Sequence, residues 1–365
     1  MTPQWKLALE IPGSKSVTNR ALLLASLAQG TSLLKNILES EDIFYLKEAL
    51  KQLGVSIRST SEGDTIQGRS PFLAPQHPLN LGDSGTGLRF LTAFCALASD
   101  PITLTGSLRL QERPILELLN ALKQLGAQCS SSPVVVRGPL RGGVATIKSS
   151  ESSQYLSALL MVSPYAQTEV QLLLDEEPVS WPYIELTLQM MEQFGIQVKQ
   201  PKFGQFIIPQ GTYHAQTFSI EADCSSSSYF LAAAVLGKGE IQITNWNAKT
   251  LQGDRQFLDL LKEMGCFIQE DLHQVRVSGP PQLKAIRCEM RHTPDLVPIL
   301  AILASFAQGT SRFSGVAHLR YKESDRLSAI TQELQKSGIR ATAGPDWIEI
   351  EGGQMTPAWI HCYQD

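Results

Sequence analysis

A chain of 365 residues with 43% hydrophobic content can bury large apolar cores, and a formal net charge of −4 leaves no basic excess for binding nucleic acid. Six scattered cysteines with no Cys-x-x-Cys, and six histidines without ligand spacing, argue against disulfide staples and against a metal centre. The opening decapeptide resembles neither a secretory leader nor a transit peptide, and the longest nearly apolar run, Leu296 to Ala307, is too short to span a bilayer, so a cytoplasmic protein without membrane association is expected.

In chain order, the first predicted helix is the apolar Arg20-Ala21-Leu22-Leu23-Leu24, ending at Ala28. Helices of the same kind end at Ala98, Ala166, Leu236 and Ala307, and each is followed by a short apolar or β-branched run. In phase with them, the pattern Leu/Met-x-x-x-Gly closes a second kind of helix at Gly54, Gly126, Gly195, Gly265 and Gly338, a spacing of about 70 residues. Two helices with strands between and after them make a βαβαββ-like module, and each module is too small to bury its own apolar face, so the copies must stack. The apolar helices, hydrophobic nearly all round, are expected to be buried, with the Leu-x-x-x-Gly helices outside or alongside them. The fold class is α/β. A sixth glycine would fall about 70 residues beyond Gly338, past Asp365.

A distinctive residue set opens each apolar helix. In order these are Gly13-Ser14-Lys15-Ser16 with Asn19-Arg20, Gly82-Asp83-Ser84-Gly85-Thr86 with Arg89, Ser152-Ser153-Gln154, Asp223-Cys224-Ser225-Ser226, and His292-Thr293-Pro294-Asp295. Ser, Thr and Asp are ordinary N-caps. Lys15, Arg20 and Arg89 are not explained that way, because a helix start disfavours cations. An anion lying between them would account for all three, so the expected ligand is a small, multiply charged anion.

Pro12-Gly13-Ser14-Lys15-Ser16-Val17-Thr18-Asn19-Arg20-Ala21-Leu22 resembles the signature of the 5-enolpyruvylshikimate-3-phosphate synthases. The likeness continues through Leu81 to Arg89, Gln111-Glu112-Arg113-Pro114-Ile115, Ser152 to Met161, Asp223 to Ala234, Pro294-Asp295-Leu296 and Lys322-Glu323-Ser324-Asp325-Arg326-Leu327. Such an ordered series is far more specific than any single motif.

The resemblance implies two similar domains of βαβαββ units with a substrate cleft between them, joined by strands near Pro12-Gly13 and Glu221-Asp223. The first domain would span residues 14–222 with three units, and the second residues 1–13 and 223–365 with two units and a third absent. It implies transfer of the enolpyruvyl group of phosphoenolpyruvate to the 5-hydroxyl of shikimate 3-phosphate by a monomer, without cofactor or metal. By motif, Asp295 would be the base at that hydroxyl, Glu323 would shuttle the proton at the methylene carbon, and Lys15 would bridge both substrates. Shikimate 3-phosphate would contact Lys15, Ser16, Arg20, Ser152, Ser153, Gln154, Ser180, Tyr183, Asp295, His318 and Lys322, with Ser152, Ser153 and Ser180 cradling its phosphate. Phosphoenolpyruvate would contact Lys15, Gly85, Arg113, Gln154 and Arg326. Alone, Lys322, Glu323, Asp325 and Arg326 would read as a solvated charged stretch.

Four positions depart from the family pattern. Asp83 replaces a usual asparagine, Phe90 a common proline, Trp181 a usual lysine and His318 a frequent asparagine. Family members also continue beyond a segment like His361-Cys362-Tyr363-Gln364-Asp365, supplying an arginine and a lysine to phosphoenolpyruvate. On that basis the 365 residues are expected to bind shikimate 3-phosphate, with turnover belonging to a longer parent. The alternatives are a transferase acting on UDP-N-acetylglucosamine, whose reactive cysteine is missing from the loop Ser107 to Arg113, and a remnant that binds without turnover.

Overall fold

The computed structural model describes residues 3–69, 72–148, 151–363 and 365. The chain divides into two compact units, a first of Gly13–Ile220 and a second of Met1–Pro12 with Glu221–Asp365. The first unit holds α1 (Lys15–Leu27), α2 (Glu41–Gln52), α3 (Gly85–Cys95), α4 (Leu108–Glu112), α5 (Leu116–Gln124), α6 (Gln154–Val162) and α7 (Pro182–Gln193). The second holds α8 (Cys224–Leu236), α9 (Phe257–Glu263), α10 (Val297–Ser305) and α11 (Arg326–Lys336).

The Leu-x-x-x-Gly pattern has a direct physical cause. In each copy the glycine amide bonds back to the carbonyl three residues earlier, and the next amide to the carbonyl five residues earlier: Gly54 to Lys51 and Val55 to Leu50, Gly126 to Lys123 and Ala127 to Leu122, and likewise at Gly195, Gly265 and Gly338. This is the Schellman helix end, which requires a left-handed residue after the cap. All five glycines have φ between 80° and 100°. The leading Leu or Met of the motif (Leu50, Leu122, Met191, Leu261, Leu334) is buried in every copy.

Five four-stranded sheets among the described residues share one strand order. In the third repeat, Gly143–Ile147 runs parallel to Val170–Leu174, Gln205–Ile208 adds antiparallel to the latter, and Lys199–Lys202 pairs antiparallel with Gln205–Ile208 at the edge. The opening repeat of each unit borrows its first strand from a distant part of the chain. Thr217–Ser219 pairs with Thr31–Lys35, and Lys6–Leu9 with Glu240–Ile243. The chain therefore leaves one unit and re-enters it at Pro12/Gly13 and Ile220/Glu221. At Gly13 a Cβ would lie 1.9 Å from the Asn36 carbonyl oxygen, so only glycine fits that passage.

Helices α1, α3 and α6 are buried along nearly their whole length, as their composition requires. Helices α8 and α10 depart from that expectation. Tyr229 and Phe230 on α8 are 57% and 43% exposed, and Ile302 on α10 is 36% exposed, because the sheets and helices of the second unit cover only one side of each. A second departure is α4, where a loop was expected. Ser107 caps it by accepting the Leu110 amide at 3.1 Å.

The Schellman ends yield a first prediction. At Gly195, φ is 100° and an added Cβ would meet the His214 ring at 2.8 Å. Gly195→Ala should cost about 1–3 kcal/mol of stability. Urea denaturation measures it, and an unchanged midpoint would mean that this turn tolerates a side chain.

Candidate functional site

In the first unit the side chains near the helix starts form two hydrogen-bonded groups, one around Arg20 and one around Gln154 and Arg89. Arg20, the sixth residue of α1, is only 2% exposed. Its Nε donates to Thr187 Oγ1 at 2.7 Å and its Nη1 to the Ser16 carbonyl at 3.0 Å, while Nη2 donates to Ser157 Oγ at 3.2 Å and to the Tyr183 carbonyl at 3.0 Å. Every one of these acceptors is neutral. The guanidinium also lies 5.3 Å from the Phe90 ring centroid and 5.9 Å from that of Tyr183, so Phe90 contributes a cation–π face. Burial lowers the Arg20 pKa to about 10, the nearby Tyr183 offsetting only part of that effect.

Gln154, the first residue of α6, donates through Nε2 to Thr86 Oγ1 at 2.9 Å and accepts from Arg89 Nη1 at 2.6 Å. Arg89 Nη2 and the Tyr155 hydroxyl both donate to the Pro114 carbonyl, at 3.3 and 2.7 Å. The segment leading from Arg113 is thereby fastened to α3 and α6. Gly85 opens α3 against the Arg113 side chain, and a Cβ there would sit 2.4 Å from the guanidinium carbon. Arg113 is 7% exposed.

Ser153 occupies the N-cap position of α6 without a side-chain capping bond, while Ser152 Oγ accepts the Gln154 amide at 3.2 Å. Ser180 stands two residues before α7, which packs against α6, and holds a left-handed φ of 55°. A non-glycine residue in that region stores local strain of the kind found at binding sites. The next residue, Trp181, is anchored by its Nε1 donating to Glu185 Oε1 at 3.0 Å and by the ring of Phe203 5.1 Å away. Asp83 accepts a hydrogen bond from the Ser107 hydroxyl.

The expectation that Lys15, Arg20 and Arg89 all crowd first turns needs correction. Arg20 and Arg89 lie one turn further in. Lys15 does open α1, but its Nζ pairs with Asp42 Oδ2 at 2.6 Å, so an internal acid from α2 compensates it. Asp42 gave no sequence signal of this role, because an acid in the first turn of a helix is ordinary. Thr187 and Ser157, the hydroxyls that hold Arg20, were likewise unmarked in the sequence.

The second unit gathers Asp295, Lys322, Glu323 and Arg326 into one ion network. Asp295 Oδ1 accepts from Lys322 Nζ at 3.1 Å and from Arg326 Nη1 at 2.7 Å. Arg326 Nη2 reaches Glu323 Oε2 at 3.2 Å, and its Nε and Nη2 reach the two carboxylate oxygens of Asp365 at 2.9 and 2.7 Å. The reading of Lys322 to Arg326 as a solvated run is therefore replaced by a part-buried network. Burial alone would raise the Asp295 carboxyl, but Lys322 and Arg326 outweigh it and hold it well below the ordinary carboxylate range. Asp254, which sequence reasoning missed, lies fully buried and accepts from Ser225; burial first and the Asp295 charge second push it up to about 7.

His318 lies in the turn Ala317–Tyr321 and is 6% exposed, and its buried Nε2 has no hydrogen-bond partner among the described residues. Asp295, Ser225, Tyr229, Arg326 and Asp365 line a cavity of about 640 Å³ whose remaining wall is largely apolar. Among the described residues no three His, Cys, Asp or Glu side chains are grouped to hold a metal ion. The arrangement offers buried cations and hydroxyls in the first unit and carboxylates paired with cations in the second, a chemistry suited to anions and to proton transfer.

Residues 4–365 match the family model described as EPSP synthase (3-phosphoshikimate 1-carboxyvinyltransferase). The 3-phosphoshikimate 1-carboxyvinyltransferase of Nostoc punctiforme is 40% identical over 368 residues, covering 98% of this chain and 86% of that protein. That of Vibrio cholerae is 41% identical over 371 residues, covering 98% and 87%. Among solved structures, an EPSP synthase from Acinetobacter baumannii superposes with a TM-score of 0.79 at 26% identity, over 97% of this chain and 83% of that one. The enolpyruvyl transferase NikO from Streptomyces tendae shares the fold, with a TM-score of 0.75 at 15% identity over 96% and 83%.

Two predictions follow from this geometry. On the expectation that Arg113 receives phosphoenolpyruvate, Gly85→Ala should displace its guanidinium and weaken binding of that anion without unfolding the chain; a titration showing unchanged affinity would separate Arg113 from that ligand. For His318, burial and then the Lys322 cation hold the imidazole down at about 4, against 6.5 ordinarily. The folded state therefore resists a proton that the unfolded state accepts. Stability from the neutral ring is complete above about pH 6.5 and is lost as the pH falls toward about 4. His318→Asn should flatten that part of the stability profile, measured by urea midpoints from pH 4 to 7. A slope identical to that of the parent would mean that His318 titrates normally.

Proposed function

The chain belongs to the EPSP synthase family, and on that premise we propose how its residues divide the reaction. It transfers the enolpyruvyl group of phosphoenolpyruvate to the 5-hydroxyl of shikimate 3-phosphate and releases phosphate. The sugar oxygen bonds to the central carbon of phosphoenolpyruvate while the methylene carbon takes a proton. The carbon–oxygen bond to phosphate then breaks, and the methyl group returns its proton. An acid, a base and several cations are required.

In the first unit, Ser152, Ser153 and Ser180 cradle the phosphate of shikimate 3-phosphate, Arg20 and Ser16 take its carboxylate, and Gln154 and Tyr183 complete the contacts. The observation that carries this reading is Arg20, a buried cation surrounded by neutral oxygens. Four of its N–H groups are engaged, which leaves one Nη1 hydrogen for a ligand. Lys15, Gly85, Arg113, Gln154 and Arg326 receive phosphoenolpyruvate, the arginines by forked hydrogen bonds. Lys15 shares its charge between Asp42 and the substrates.

In the second unit, Asp295 is the base for the 5-hydroxyl, Glu323 moves the proton at the methylene carbon, and Lys322 and His318 contact the shikimate ring. A carboxylate held low by two cations is a weak base. Anionic substrates that draw Lys322 and Arg326 toward themselves raise its basicity at the moment it is needed. The roles assigned here all fall on residues of one chain, in keeping with a monomer, and six unpaired cysteines are in keeping with the cytoplasm.

The test is phosphate release from phosphoenolpyruvate in the presence of shikimate 3-phosphate. Asp295→Asn and Glu323→Gln should each lower kcat by about 10²–10⁴-fold with modest changes in substrate affinity. Near-normal turnover by either variant removes that residue from the mechanism.

A further inference from the structure

Asp295, Glu323 and Asp365 occupy both edges of the Arg326 guanidinium. Asp295 takes Nη1 at 2.7 Å, Glu323 lies on Nη2 at 3.2 Å, and Asp365 makes both bonds of a forked pair, Nε to Oδ2 at 2.9 Å and Nη2 to Oδ1 at 2.7 Å. The Ser324 hydroxyl donates to the same Oδ2 at 2.7 Å. A two-point carboxylate contact on the Nε–Nη2 edge is the geometry in which a guanidinium receives a carboxylate ligand. Asp365 therefore sits as an incoming carboxylate would.

The three acids are not equally held. Asp295 is pinned by Lys322 as well as by Arg326, and Glu323 is tied by sequence to the turn that begins α11. Among the described residues Asp365 makes the two-point contact on the Nε–Nη2 edge, so it is the acid that a ligand seeking that edge must replace. The exchange is also balanced in charge. At the fork itself, a ligand carboxylate replacing the Asp365 carboxylate leaves the charge on the Nε–Nη2 edge unaltered. Adding a ligand there without withdrawing Asp365 would place two carboxylates on one edge of the guanidinium.

We propose that Asp365 is a positioning residue that occupies the Arg326 fork as an internal stand-in for the substrate carboxylate and yields to phosphoenolpyruvate by a one-for-one exchange. Its contact keeps the fork oriented for two-point binding before the ligand arrives. It also means that ligand meets only the fraction of molecules in which the fork is open, so the measured affinity is lower than the intrinsic one by that fraction. This rests on the assignment of phosphoenolpyruvate to Arg326 made above.

The experiment is a calorimetric titration of the full chain with phosphoenolpyruvate at saturating shikimate 3-phosphate. Asp365→Asn keeps the shape and removes the charge, and it should tighten phosphoenolpyruvate binding at least about tenfold, the scale of a charged hydrogen-bonded pair. Ser324→Ala, which removes one donor from Asp365 and leaves the fork intact, should shift affinity the same way by a smaller factor, and it serves if Asp365→Asn fails to fold. Arg326→Ala should weaken binding. A merely structural role for Asp365 cannot raise affinity. If Arg326→Ala weakens binding while Asp365→Asn and Ser324→Ala leave it equal or weaker, the stand-in proposal falls and the assignment of Arg326 stands. If Arg326→Ala changes nothing, or none of the proteins binds phosphoenolpyruvate, the assignment of Arg326 falls and takes this proposal with it.

Discussion

Burying a cation among neutral oxygens costs free energy that only an arriving anion offsets in full, and Arg20 is where the first unit accepts that cost. The guanidinium is held by hydroxyls and carbonyls from α1, α6 and α7, and the rings of Phe90 and Tyr183 flank it. Much of the unit is arranged around this requirement. Residues so placed can hold the cation rigid and desolvated without neutralising it, as an anion site demands. A carboxylate at Ser157 or Thr187 would stabilise the same cation and remove its reason for being there.

The second unit solves the opposite problem. There the acids and cations neutralise one another, so the network is charge-paired by its own residues and must be opened to receive a ligand. Asp295 illustrates the consequence. Its basicity is suppressed by the very cations that a substrate would attract, which couples base strength to ligand occupancy. Glycine placement keeps both arrangements in register. Gly85 leaves room for Arg113, and the five Schellman turns fix the outer helices against sheets of identical order.

The repeat was legible because the Leu-x-x-x-Gly pattern is a local event. Five residues specify the helix end, its left-handed turn and its buried leading residue, so no tertiary information is needed. The borrowed strands Lys6–Leu9 and Thr217–Ser219 were not readable, since each pairs with a segment about two hundred residues or more away that carries no matching local signal. The site divides the same way. The motifs around Lys15, Arg113, Ser152 and Asp295 stand out in sequence, whereas Asp42, Thr187, Ser157 and Asp365 are ordinary residues made important only by what they touch. The helix-start argument failed for Lys15 for that reason, its compensating charge being supplied from another helix. The exposed faces of α8 and α10 show the complementary limit: composition says that a helix wants burial, but not how much of it a given fold will cover.

Whether Arg20 is uncompensated because it awaits an anion can be measured directly. Calorimetry of the chain with shikimate 3-phosphate, compared with an Arg20→Lys variant that keeps the charge but loses the fork, isolates the guanidinium's contribution. The account gives measurable binding by the parent, weakened by about tenfold or more in the variant with the fold retained. Equal affinity in the two proteins would contradict it, and would make Arg20 a packing residue with no ligand.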